Sequence, residues 1–164
     1  MRLLLLLIAA PLITIAVLAQ AAPDHSGQDS TYHPDALSGM YTFLHEGEFV
    51  EIDFEEQHRL TGFISRFGDL DSDRGAFLDH MFSKGEYSGD TLSFTTKAVH
   101  GVWFEFKGKI STDKSKQPGS EGYAIVHGTL IQYKDDNNKK TSAKSAEVSF
   151  KSFPHDLSVP EPKK

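Results

Sequence analysis

The chain has 164 residues, a net charge of −6 and no cysteine. An acidic chain is poorly matched to nucleic acid or to an anionic membrane surface. The missing cysteines exclude a disulfide framework, a thiol nucleophile and a Cys-zinc site. The length suits one domain, and its stability has to come from packing. Twelve Phe, five Tyr and one Trp can supply this, at roughly 1.5–3 kcal/mol for each large side chain fully buried.

Residues 1–21 read as a secretory signal peptide. Arg2 gives a positive start, Leu3 to Leu18 is an almost unbroken apolar run, and Ala19-Gln20-Ala21 has the small-x-small pattern of a cleavage site. The run is too short for a membrane span and lacks a stop-transfer flank. The expected product starts near Ala22 and is periplasmic or secreted, not membrane-spanning. Its 16 basic residues then face 23 acids, a net charge of −7. With no cysteine after the cleavage site, a lipid anchor is not expected either.

Residues 22–37 are rich in Pro, Asp, Ser, Gln and His without periodicity, and read as a disordered linker. The tail, residues 154–164, with Pro160, Pro162 and Lys163-Lys164, reads the same way. The folded unit expected between them spans residues 38–153.

The period inside that unit is two. Val50, Ile52 and Phe54 alternate with Glu51, Asp53 and Glu55. Leu92 and Phe94 alternate with Ser93 and Thr95, and Val102, Phe104 and Phe106 alternate with Trp103, Glu105 and Lys107. Val148 and Phe150 repeat the pattern. Each is a strand with one buried and one wet face. Less regular strands fit at 39–45, 59–66, 77–87 and 122–133, and no window shows a helix of three turns. Glu46-Gly47, Ser88-Gly89-Asp90, His100-Gly101 and Asn137-Asn138 supply turn chemistry.

About eight short strands joined by tight turns predict an all-β antiparallel up-and-down meander, closed into a barrel to hide its edges, with a β-sandwich as the alternative. Gly39, Gly62, Gly85, Gly108 and Gly128 stand where a barrel bends. The phrases Leu60-Thr61-Gly62, Gly89-Asp90-Thr91-Leu92-Ser93-Phe94, Phe106-Lys107-Gly108 and Gly128-Thr129-Leu130 resemble those of small exported bacterial lipocalin-like, calycin-type barrels. Leu37-Ser38-Gly39 followed by Leu60-Thr61-Gly62 is similar to avidin-type barrels. Avidin-type biotin sites rely on several tryptophans, and this chain has only Trp103.

The candidate sites follow from the pattern. If the interior is hollow, Val50, Ile52, Phe54, Leu92, Phe94, Val102, Phe104 and Phe106 line it, with His100 at the mouth. The ligand would then be small and apolar or amphipathic. If the interior is filled, the chain is a structural or interaction module meeting a protein of the cell envelope. Trp103, which points away from the buried row, could anchor that partner or pack across strands.

Asp69, Asp71, Asp73 and Asp79 resemble a partial calcium loop, because alternating carboxylates on a turn can converge on a hard cation. Arg74 stands where the loop needs glycine and His80 where it needs glutamate, so a solvated acidic turn is the plainer reading and no cofactor is expected. Eight histidines (His25, His33, His45, His58, His80, His100, His127, His155) leave a third reading. His80, His100 and His127 could meet across a sheet face to bind a metal and serve a metal-dependent enzyme. Glu51 with Asp53 as a glycosidase pair is disfavoured, since no apolar pocket raises one of them. The balance leans against an enzyme.

Overall fold

The computed structural model describes residues 34–69, 71–136 and 140–155. The leader, the linker as far as residue 33, Asn137-Asn138 and the tail from residue 156 lie outside the described residues. Eight strands form one sheet: β1 (Gly39–Thr42), β2 (Phe49–Glu55), β3 (Arg59–Phe67), β4 (Phe77–Ser88), β5 (Thr91–Thr96), β6 (Val102–Thr112), β7 (Ala124–Asp135) and β8 (Thr141–Lys151). Each pairs antiparallel with the next in sequence order. The architecture is thus the expected up-and-down meander, and it curls into a barrel.

Its two ends meet over a short stretch. Tyr41 bridges Ser152, Phe153 N donates to the Met40 carbonyl at 2.8 Å, and Lys151 N donates to Thr42 Oγ1 at 3.0 Å. Strand β1 is only four residues long because the chain turns at Phe43, whose N–H reaches the Glu48 carbonyl at 3.1 Å. The strand expected over 39–45 therefore stops at Thr42. One helical turn, α1 (Pro34–Leu37), occupies the end of the segment read as linker. It buries Leu37, whose carbonyl accepts the Tyr41 hydroxyl. At the other end, His155 N donates to the Gly119 carbonyl at 2.8 Å, tying down the start of the tail.

Hairpin chemistry sets the register. His100 and Gly101 are the two central residues between Val99 and Val102, whose N–H and C=O groups exchange hydrogen bonds at 2.9 Å. Both have positive φ, 48° and 75°, as a type I′ turn requires. Gly108 faces Gly128 across β6 and β7. A side chain on either would run into the backbone of the opposite strand, so these strands approach as only glycine allows.

The inward rows fill the barrel. Val50, Ile52 and Phe104 have no exposed surface, and Leu92, Phe94 and Phe106 keep 1–3%. Phe94 stacks on Phe106 with centroids 5.2 Å apart and on Phe82 at 4.2 Å. Phe150 lies 5.7 Å from Phe106 and 5.3 Å from Phe43, which meets Phe104 edge-on at 5.7 Å. Side chains around a ligand-sized void would show accessible surface toward it; these rings show almost none and touch one another.

Candidate functional site

At one end the inward row becomes charged. Strand alternation carries Glu48 just before β2, Arg66 near the end of β3 and His80 on β4 into the same inward phase as Val50 and Ile64. All three are buried, with His80 fully so. Arg66 donates to both oxygens of Asp69, Nη1 to Oδ2 at 3.0 Å and Nη2 to Oδ1 at 2.6 Å. Its guanidinium carbon sits 5.6 Å over the Phe104 ring, a favourable cation–π placement. Glu48 lies 3.9 Å from Arg66 Nε and accepts from the N–H groups of Phe67 (3.1 Å) and His45 (3.2 Å).

His80 meets Phe104 edge-on at 5.2 Å. The carbonyls of Lys97 and Val102 lie near its ring and favour the protonated form, but neither ring nitrogen has hydrogen-bond geometry to a protein group. Asp73, buried, accepts from His100 Nδ1 at 3.0 Å in the tautomer that carries its proton there. Arg66, Asp69, Asp73, His80, His100 and Lys134 line a chamber that opens to solvent beside the half-exposed His100 and has about 10 Å³ of room, about the space of one water molecule.

Electrostatics follow from this crowding. Burial, helped by the positive Arg66, holds the His80 pKa below the usual imidazole value, so the ring is neutral when folded. The Arg66 hydrogen bonds hold Asp69 below the ordinary carboxylate range. A folded His pKa below the unfolded value of about 6.5 gives stability that is complete above that pH. It is lost as pH falls toward the folded value. The Asp69 contribution has the same sign but disappears only below about pH 4. We expect His80→Phe, which keeps the ring packing, to flatten the loss of stability between pH 7 and pH 5 in urea titrations. At pH 7.5 it should gain about 1–2 kcal/mol, because two buried polar atoms are removed. An unchanged acid slope would mean that His80 does not set it.

The structure separates most of the other predicted site residues. Asp71 pairs with Arg74 on the surface at 2.7 Å, and Asp79 accepts from Ser65 Oγ at 2.7 Å. With Asp69 on Arg66 and Asp73 on His100, the four aspartates are engaged in different directions. No group of three His, Asp or Glu able to hold a metal occurs among the described residues. His80 and His100 do share the chamber, but His127 lies on the outer face of β7, opposite Lys109 and Ser149. The sheet stands between them. His100 is at the barrel end as expected, while the eight apolar lining residues are packed inside it.

Trp103 stacks on its cross-strand partner Tyr133, centroids 5.1 Å apart and planes 9° apart, and Tyr133 donates to Glu105 at 3.0 Å. Cross-strand packing is its observed role. Beside this pair, short side chains at Ser93, Thr95 and Thr129 leave an outer trough of about 320 Å³ flanked by Lys84, Glu105 and Lys107.

Comparison with solved structures agrees with the architecture. Rhizavidin superposes with a TM-score of 0.55 at 8% identity, covering 77% of this chain and 89% of its own. At that identity the likeness is one of fold. No protein-family model matches the chain, and no curated protein sequence matches it.

Proposed function

We propose that this chain is an exported, non-enzymatic β-barrel that works by binding at its outside, its interior being structural. One observation carries this reading: inside the barrel Phe43, Phe94, Phe104, Phe106 and Phe150 meet ring to ring and keep 8% or less of their surface exposed. A small apolar ligand inside would have to displace Phe94, Phe104 or Phe106, at about 3–5 kcal/mol for each large ring whose packing is lost. The chamber at Arg66 and His80 has space inside for about one water molecule. That volume and the scattered carboxylates argue against catalysis there. The fold shared with rhizavidin supports a barrel scaffold on which a binding surface can be built. The apolar run and the small-residue site before Ala22 support export.

Native mass spectrometry of residues 22–164, purified gently after export, tests the reading. The expected spectrum is the bare chain with an N-terminus near Ala22. A co-purifying mass of several hundred daltons, released by organic solvent and competed by hydrophobic probes, would overturn the filled interior. A leader still attached would overturn the export step.

A further inference from the structure

The outer face of β1–β4 is unlike the rest of the surface. Register places Met40, Glu51, Phe63 and Met81 in one row across the four strands. The next row runs through Phe49, Ser65 and Asp79, and the last pairs Phe67 with Phe77. All of these are out of phase with the buried Val50, Ile52 and Ile64. Met81 is 48% exposed, Phe77 47% and Phe67 39%. The rings cluster: Phe67 and Phe77 lie 4.4 Å apart, Phe49 and Phe63 5.7 Å. The named rows narrow from four residues to three to two, over roughly 14 Å across the strands and along β3. Exposed aromatic and methionine side chains of this kind are enriched where proteins meet partners.

Its charge is one-sided. Glu51 and Asp53 share the outer side of β2, and neither makes an ion pair within 4 Å among the described residues. Strand β2 pairs only with β1 and β3, so the lysines of β6 and β7 are not its cross-strand neighbours. Partial burial and the neighbouring like charge raise the pKa of both carboxyls. A cation arriving between them would relieve that repulsion. A second copy presenting the same face would bring carboxylates against carboxylates, which disfavours an isologous dimer.

Resting on the surface-binding reading above, we infer that this face binds an extended segment of a partner protein in which every second residue, all on one side of the segment, is by turns apolar and lysine or arginine. The apolar side chains cover Phe63, Met81 and Phe77. The cationic side chains lay their stems along the rings and place their heads at Glu51 and Asp53.

The test is an amide-shift titration of the ¹⁵N-labelled mature chain with the capped octapeptide Leu-Ser-Lys-Ser-Leu-Ser-Lys-Ser, whose leucines and lysines lie on one side when extended. The matching leucine–glutamate peptide serves as control. Saturable shifts centred on residues 40, 49–53, 63 and 77–81, absent with the acidic peptide, are expected. The Glu51→Gln, Asp53→Asn double variant should bind about tenfold more weakly while keeping its own spectrum. Silence at millimolar lysine peptide overturns the inference, as do shifts on another outer face or equal binding by the double variant. Concentration-dependent shifts of the same residues without peptide would assign the face to a second copy instead. Silence at this face leaves the filled interior untouched, whereas large shifts at Phe94, Phe104 and Phe106 would overturn that earlier reading.

Discussion

Replacing Gly62 with alanine is expected to cost about 4 kcal/mol, enough to unfold most of a marginally stable domain. Gly62 pairs with Ile52 in the middle of β3 and holds φ at +142°, a region in which a side chain is strained by about 1–3 kcal/mol. The added methyl would also be driven into the Glu51 carbonyl of the paired strand, with the Phe82 ring 3.2 Å away on another side. A backbone carbonyl inside a ladder cannot step aside without breaking it. Gly89→Ala is the internal control: its φ is +56°, but nothing lies within 4 Å of the added carbon. Urea unfolding should show a loss of about 1 kcal/mol there. If the two variants lost equal stability, the clash at Glu51 would not be the cause.

The pairing of Gly62 with β2 explains how much of the fold could be read from residues alone. Alternation at Val50, Ile52 and Phe54 and at Val102, Phe104 and Phe106 predicts strands whose inward set is the observed core. Turn residues such as His100-Gly101 predict which strands are neighbours. Glycines at 62, 85, 108 and 128 sit where added side chains would strike the paired strand. These are local signals, and a meander is a fold of local pairings.

The charged chamber carries a weaker signal in the sequence. Glu48 and Arg66 obey the same alternation as the core, one step beyond Val50 and Ile64, and His80 falls between Leu78 and Phe82 in the inward phase of β4. Carrying the period one step past Val50 and Ile64 places Glu48 and Arg66 inside. Bringing them together needs the register Val50↔Ile64↔His80, which apolar periodicity alone does not fix. A bulge between Phe82 and Lys84 further shifts the phase along β4, hiding its pattern. Residues 46–56 therefore look like one acidic strand, whereas Glu48 points inward to Arg66 and Glu51 and Asp53 point outward. Charge counts cannot distinguish those two situations; the period can. The filling of the barrel is likewise a three-dimensional property, because the same Phe residues could surround a cavity or occupy it.

Phe104 is where the apolar core meets that chamber, and Phe104→Ala is expected to cost about 5 kcal/mol, the upper end for ring truncation. The ring is fully buried, supports Phe43 on its apolar side, and faces both Arg66 and His80 on the other. Removing it leaves a cavity that water can enter beside a guanidinium, because that wall is polar. The same water would relieve the burial that keeps His80 neutral. The variant should therefore lose stability at pH 7.5 and also show a shallower further loss between pH 7 and pH 5 than the parent. Phe104→Leu, which keeps most of the volume, is expected to lose about 1–2 kcal/mol and to retain most of the acid slope. Urea midpoints at the two pH values measure both effects in the same samples. A large stability loss in Phe104→Ala with an unchanged acid slope would show that His80 is shielded by the chamber wall of Leu78 and Val102 rather than by this ring.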